Sequence, residues 1–304
     1  LTPPARELIS VCVCTYRRQA LLTTLLEVLQ GQETADRFGY EIIVIENDLE
    51  RLCEASVADA ARTARIPIRY DCEPERNIAL ARNRAVRLAQ GTLIAMIDDD
   101  ETPVPDWLLR HYETLEASGA QGVLGPVVPV LPASAPAWLE SSGVLDRPRH
   151  RTGHAIGTQD MRTGNALLRR PLFTRGDLWF DAALGRSGGE DSDFFARGVA
   201  GGHSFVWCDE AVVSEVVPPE RWTPRFQLRR MWRSGTIRGQ WIHDGRQSWV
   251  LAWRGIVLLV GGVVALPVSL LAPTAWRMRL ALKLAYFGGV VTAALGWPTL
   301  RHRE

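Results

Sequence analysis

An α/β fold built on a mostly parallel sheet flanked by helices is predicted by three observations. Short apolar runs alternate with helical patterns from Leu8 onward, which is the sequence form of consecutive βα units. One of those runs, residues 92–97, passes straight into Asp98-Asp99-Asp100. The composition then shifts near Arg254, where long uncharged segments begin.

The elements follow in order. Residues 8–14 alternate valine with cysteine and read as a first strand, so Cys12 and Cys14 face the same side of the sheet. Residues 20–30 carry leucines at helical spacing, 41–45 read as a second strand, and 51–65 are alanine-rich and helical. Pro67 breaks the chain before a third short strand around residues 68–70. Residues 78–90 form a helix whose end is marked by Gly91, and the strand 92–97 follows. Between residues 125 and 157 the prolines at 126, 129, 132, 136 and 148 interrupt any period. A long surface excursion is expected there, of the kind that forms lids or substrate-binding walls.

Composition limits the choices further. With 304 residues and 46% hydrophobic content the chain can bury a substantial core in one large or two small domains. The formal charge of +1, from 35 basic and 34 acidic residues, gives no basic field for a nucleic-acid partner. The five cysteines, Cys12, Cys14, Cys53, Cys72 and Cys208, fit neither a disulfide framework nor a C-x-x-C metal site. Buried thiols in a reducing cytosol are expected. Residues 1–7 lack a basic-then-apolar pattern and 8–14 are too short for a signal core, so the N-terminal domain is expected to stay in the cytosol.

At the C-terminal end, residues 255–272 are eighteen residues without a charge, and 280–297 are another eighteen interrupted only by Lys283. Each sits at the lower limit for crossing a bilayer core of roughly 30 Å. Seven of the eleven tryptophans, Trp222, Trp232, Trp241, Trp249, Trp253, Trp276 and Trp297, fall in this part of the chain among arginines, as at a membrane interface. The expectation is a catalytic domain over residues 1–243 and an apolar helical hairpin over 244–304 that holds it at a membrane. An in-plane hairpin and a soluble helical pair are the alternatives. Arg246, Arg254, Arg301 and Arg303 outside the pair, against Arg277 and Arg279 between its helices, weakly favour both ends on the cytosolic side.

The chemistry concentrates at two acidic sites. Asp98-Asp99-Asp100 lies at the C-terminal end of a predicted parallel strand, where open α/β sheets bind ligands. Clustered carboxylates repel one another unless neutralised, and Mg²⁺ or Mn²⁺ bridging to substrate phosphates is the usual solution. An acidic turn capping a helix near Pro103 is the bland alternative. Further on, Gly188-Gly189-Glu190-Asp191 sets two acids beside a diglycine that allows close backbone approach. A helix N-terminus favouring acids would look the same.

Several ordered motifs carry a resemblance: Val11-Cys12-Val13-Cys14-Thr15-Tyr16-Arg17, Ile43-Val44-Ile45-Glu46-Asn47-Asp48, Ala81-Arg82-Asn83, the strand into Asp98-Asp99-Asp100, and Pro103 with Trp107-Leu108. Their order and spacing, over roughly residues 8–235, resemble the family 2 inverting glycosyltransferases of the GT-A fold. The resemblance implies that Thr15, Tyr16 and Arg17 border the nucleotide pocket, that Glu46 and Asn47 contact the base, and that Arg82 approaches the nucleotide. Glu46 stands where the family usually has aspartate. It further implies Asp98 and Asp99 on the donor, Asp100 as metal ligand with Asp98 sharing the ion, and Asn165 in the donor and acceptor pocket.

In the Glu190-Asp191 pair the resemblance implies the catalytic base, and Asp191 fits that role, with Glu190 orienting it or hydrogen-bonding the acceptor. No histidine occurs between Val212 and Pro219, where many members present a metal ligand, so Glu215 is the oxygen-donor substitute and a salt-bridging glutamate the alternative. Gln227-Leu228-Arg229-Arg230-Met231-Trp232 differs by one residue from the Q-x-x-R-W signature of processive synthases. Arg229, Arg230 and Trp232 suit a lipid surface or an acceptor pyrophosphate instead.

The resulting expectation is a divalent-cation-dependent hexosyltransferase at the bacterial inner membrane, its catalytic domain facing the cytoplasm. It would move a sugar from a nucleoside diphosphate donor, UDP-linked, to a membrane-borne saccharide or polyprenyl-linked acceptor in envelope or exopolysaccharide synthesis. A nucleotidyltransferase would need a glycine-rich phosphate loop after the first strand, and Thr15-Tyr16-Arg17-Arg18 has no glycine. A non-catalytic scaffold would have no use for both acidic clusters.

Overall fold

The computed structural model describes residues 6–269 and 273–297. Residues 1–5, Ala272 at the end of the first apolar segment, and Arg301 and Arg303 of the orientation argument lie outside the described residues. The chain divides into two compact units, one made of residues 1–128 and 147–215, the other of 129–146 and 216–304.

In the first unit the sequence alternation becomes β1 (Glu7–Thr15), α1 (Gln19–Leu29), β2 (Phe38–Glu46), α2 (Glu54–Thr63), β3 (Ile68–Cys72), α3 (Ile78–Leu88) and β4 (Leu93–Asp98). Next come β5 (Glu101–Pro103), α4 (Trp107–Ser118), β6 (Gly122–Leu124) and β7 (Val127–Val130), the last running into the second unit. The second unit's insert carries α5 (Ala137–Ser141). The chain returns as β8 (Asn165–Arg169), α6 (Pro171–Thr174), α7 (Glu190–Ala200), β9 (Phe205–Trp207) and β10 (Val213–Val216). It ends in α8 (Pro224–His243), α9 (Val250–Ser269) and α10 (Thr274–Ala294).

Seven strands form one sheet in the order β3-β2-β1-β4-β8-β6-β9. The first four are mutually parallel, whereas β8 runs antiparallel to β4 and to β6. Both faces are covered, as a parallel sheet requires. On one face Ile9, Val11 and Val13 pack with Leu22, Leu25 and Leu29 of α1 and Trp107 and Leu115 of α4. On the other, Cys12 and Cys14 share a face with Ile43, Ile45, Ala81 and Ala85 of α3 and Phe194 of α7. The cysteines are thus packing residues. Burial pushes the Cys53 thiol up to about 11 and the Cys14 thiol to about 12, so both stay protonated at neutral pH.

The expected surface excursion at 125–157 is partly ordered. Leu139 of α5 is fully buried with Leu145 and Val217 in a small core of the second unit. Arg279 of α10 donates to the carbonyls of Ser141 and Ser142 at 2.7 and 3.1 Å. The transmembrane expectation is corrected: among the described residues no helix is long and apolar enough to cross a membrane. Arg254 sits within α9, and Arg277, Arg279 and Lys283 lie within α10. Helices α8 and α10 pack at close range instead, because a Cβ on Gly235, Gly239 or Gly289 would collide with the facing backbone.

Candidate active site

The C-terminal ends of β1, β2 and β4 lie side by side, with Thr15 opposite Glu46 and Cys14 opposite Asp98 in the register. This is the edge at which α/β sheets gather ligand-binding loops. Two charge clusters form there.

The first joins the loop after β1 to the aspartates. Thr15 donates its hydroxyl to Asp99 at 2.7 Å, and the Arg18 guanidinium reaches Asp99 and Asp100, both at 2.9 Å. Burial pushes the Asp99 carboxyl up to about 6, against the pull of Arg18 and Thr15. Arg18 was missed in the sequence, although it directly follows the Thr15-Tyr16-Arg17 motif on the same short loop.

The second cluster centres on Arg82. Its guanidinium lies 2.8 Å from Glu190 and 3.5 Å from Asp98, joining α3, the end of β4 and the start of α7. Burial would depress the guanidinium's affinity for its proton, but Glu190, Asp98 and Asp191 more than offset it and hold Arg82 charged. Gly188 and Gly189 have φ of +90° and +95°, a region that only glycine enters without strain, and so turn the chain into α7 with both acids in its first turn. Asp191 is half-buried and accepts from the Ser192 backbone N–H at 2.7 Å.

Buried supports surround these clusters. Asn77 caps α3 by accepting from the N–H groups of Ala79 and Leu80. Asn83 exchanges two hydrogen bonds with the backbone of Phe180, at 2.8 and 3.0 Å. Glu101, one residue beyond the triad, accepts from the Asp98 N–H at 3.0 Å. Burial, then the neighbouring Asp98, push its carboxyl well above the usual range. A Cβ on Gly164 would meet this carboxylate at 2.7 Å, so glycine is required where the chain passes the acidic turn. Cys14, Arg82, Asp98 and Thr163 line a small cavity, and the buried Thr163 hydroxyl has no hydrogen-bond partner.

Other predicted residues take structural places. Glu46 is wholly buried, accepting from the Cys53 N–H and from the Tyr70 hydroxyl at 2.7 Å, which directs it into the fold rather than toward a base. Asn47 donates to the carbonyls of Glu73 and Glu75 and accepts from the Asn77 N–H, so it anchors the approach to α3. Asn165 is buried in the core. Its oxygen accepts from Trp107 Nε1 at 2.8 Å and His111 Nε2 at 2.6 Å, and its amide donates to the carbonyls of Pro126 and Ala211. All of its bonding capacity is spent on the scaffold.

The guanidinium groups of Arg76 and Arg17 lie over the Tyr16 ring, 4.6 and 5.3 Å from its centre. Arg17 also pairs with Asp48 and Glu50. Glu215 pairs with Arg147 at 2.8 Å and lies opposite Glu101 in the β5–β10 register, so it borders the acidic turn. Arg229, Arg230 and Trp232 are on α8 in the second unit. Among the described residues no group of three or more histidine, cysteine, aspartate or glutamate side chains is placed to hold an ion. Arginines occupy the spaces between the acids instead.

The site thus joins an acidic turn at the end of a parallel strand, through an arginine, to a second acidic pair, and comparison with known proteins supplies the class. The family model described as Glycosyl transferase family 2 matches residues 10–176. The chain belongs to that family and is a glycosyltransferase. It is 36% identical over 296 residues to the succinoglycan biosynthesis protein ExoM of Rhizobium meliloti, covering 95% of this chain and 93% of that protein. It is 23% identical to chondroitin synthase of Escherichia coli, of which it spans 36%. Among solved structures, the mannosyltransferase PcManGT of Pyrobaculum calidifontis with GDP-Man and Mn²⁺ superposes with a TM-score of 0.66 at 17% identity, over 96% of this chain and 88% of that one. S. aureus TarS residues 1–349 with UDP-GlcNAc gives 0.55 at 15% identity, over 95% and 92%. The structural likenesses bear out the α/β fold.

Proposed function

We propose that this chain transfers a hexose from a UDP-linked donor, with inversion, to a membrane-borne saccharide or polyprenyl-linked acceptor in exopolysaccharide or envelope synthesis. In this reading residues 1–243 are the catalytic domain, facing the cytoplasm at the bacterial inner membrane, and 244–304 the membrane-associated part. The observation that carries it is the Arg82 bridge, which sets Asp98 at the end of β4 and Glu190 at the start of α7, next to Asp191, on one cation.

Asp191 takes the proton of the acceptor hydroxyl as that oxygen bonds the anomeric carbon and the bond to the diphosphate breaks; the nucleoside diphosphate departs. Glu190 holds Arg82, and Arg82 stays charged in the field of Glu190, Asp98 and Asp191. The oxygen donors present fit a hard divalent cation, Mg²⁺ or Mn²⁺. Such ions commonly use one or two carboxylates and complete their shell with substrate phosphates, which suits a turn that offers two accessible acids rather than a full cage. Asp100 and the half-exposed Asp98 would hold it, with Glu215, now on Arg147, as a third candidate. The ion would stabilise the charge of the departing diphosphate. Thr15, Tyr16, Arg17 and Asp99 border the donor, and Arg229, Arg230 and Trp232 are assigned to the acceptor's phosphate.

Purified protein, a panel of nucleotide sugars, Mn²⁺ and lipid-linked saccharides would test this. Turnover confined to a UDP-sugar and lost on EDTA treatment is expected, with Asp191→Asn reducing kcat by at least ~100-fold. Undiminished activity of that variant would remove Asp191 from its role.

A further inference from the structure

Over residues 250–262, α9 is inside out. Its large apolar side chains point to solvent: Val250, Trp253, Val257 and Val260 are 56%, 65%, 69% and 61% exposed, with Leu258 beside them. Their spacing of three and four residues places them on one stripe. The opposite face carries Ala252, Gly255 and Gly262, which lie against α10, where a Cβ on Gly255 would touch Phe287 and Val291. In water a helix turns its large apolar residues inward, so this stripe implies a covering medium. Trp249, Trp276 and Trp297, also exposed, stand near the helix ends.

Charge decides what covers it. Helices α9 and α10 hold Arg254, Arg277, Arg279 and Lys283 and no aspartate or glutamate, and of these Arg279 is bound to the Ser141 and Ser142 carbonyls. A second copy docked on this stripe would set like charges against each other with no acid to answer them. A leaflet rich in anionic headgroups answers Arg254, Arg277 and Lys283, and takes tryptophan rings at the headgroup level. We infer that α9 lies in the plane of an anionic membrane, its Val250-Trp253-Val257-Val260 stripe among the acyl chains and Arg254 at the headgroups, without crossing the bilayer. This deepens the reading of a membrane-borne acceptor, on which it rests for its purpose.

The test uses the full chain and vesicles of phosphatidylglycerol and phosphatidylcholine that contain no acceptor and no nucleotide sugar, so its failure leaves the transferase reading standing. Wild-type protein is expected to float with anionic vesicles and to bind at least about ten-fold more weakly to phosphatidylcholine alone. The double variant Trp253→Glu, Val257→Glu should lose about ten-fold or more in vesicle affinity. Brominated lipids provide a readout that needs no variant: quenching of tryptophan by shallow but not deep bromines is expected. Absence of flotation would overturn the inference, as would quenching by deep bromines, unchanged binding of the double variant, or a dimer in sedimentation that the variant dissociates without any vesicle binding.

Discussion

Arg82 of α3 donates a 2.8 Å hydrogen bond to Glu190 at the start of α7, a residue 108 positions further along the chain. Glu190 is 1% exposed, and its charge in such a place requires a bound cation. The pair is therefore both a structural bond between two helices and the electrostatic floor of the site.

Arg82→Met should destabilise the first unit by about 3–5 kcal/mol, the usual cost of leaving a buried charge without its partner. Urea denaturation measures this. Adding Glu190→Leu should restore much of the stability and none of the activity, which separates the two roles. Equal stability of Arg82→Met and wild type would show that the bridge is not what holds Glu190.

Arg18 occupies the space between Asp99 and Asp100. Arg18→Gln removes one positive charge from two carboxylates, so Mn²⁺ binding measured by calorimetry should tighten by about three- to ten-fold, on the order of 1 kcal/mol for a partly exposed pair. Donor binding should weaken in the same variant if the guanidinium turns to the diphosphate once an ion arrives. Unchanged Mn²⁺ affinity would mean that Arg18 does not compete with the ion.

Burial holds the His111 imidazole down at about 4. A group depressed in the folded state adds stability above its unfolded pKa of about 6.5 and loses it as pH falls through the folded value. Stability should drop by roughly 3 kcal/mol between pH 6.5 and 4 from this residue alone. Asp99, raised to about 6, has the opposite sign and loses its contribution as pH rises through that value. Denaturation across pH 4–7 in an Asp99→Asn background should therefore show the histidine limb more steeply, and adding His111→Gln should flatten it.

Asn165→Leu should cost about 3 kcal/mol or more, because Trp107, His111 and two carbonyls lose buried partners. Whatever protein still folds should keep its KM for the donor. A raised donor KM with unchanged thermal stability would return Asn165 to the sugar pocket.

What was legible in the sequence follows the reach of each signal. The first four strands and three helices were readable because apolar period is a local property, and Asp98-Asp99-Asp100 was readable because it ends such a strand. Glu46, Asn47 and Asn165 were visible as motif residues, but their burial depends on Tyr70, Asn77 and Trp107, which no spacing connects to them. Arg18 and Glu101 adjoin recognised motifs, yet only the fold shows that one neutralises the aspartates and the other accepts from the Asp98 backbone. The C-terminal segments misled because an apolar length alone cannot say whether a helix crosses a membrane or lies on it.

The second unit is discontinuous: residues 129–146 belong with 216–304. Its insert therefore leaves the ribosome well before α8 and α10 exist. Until residue 279 has been made, the Ser141 and Ser142 carbonyls lack the Arg279 donors they finally bind, and Leu139 waits on Val217 for its cover. A nascent chain in that interval has not yet closed the small core of its second unit, so that unit completes its folding after the first.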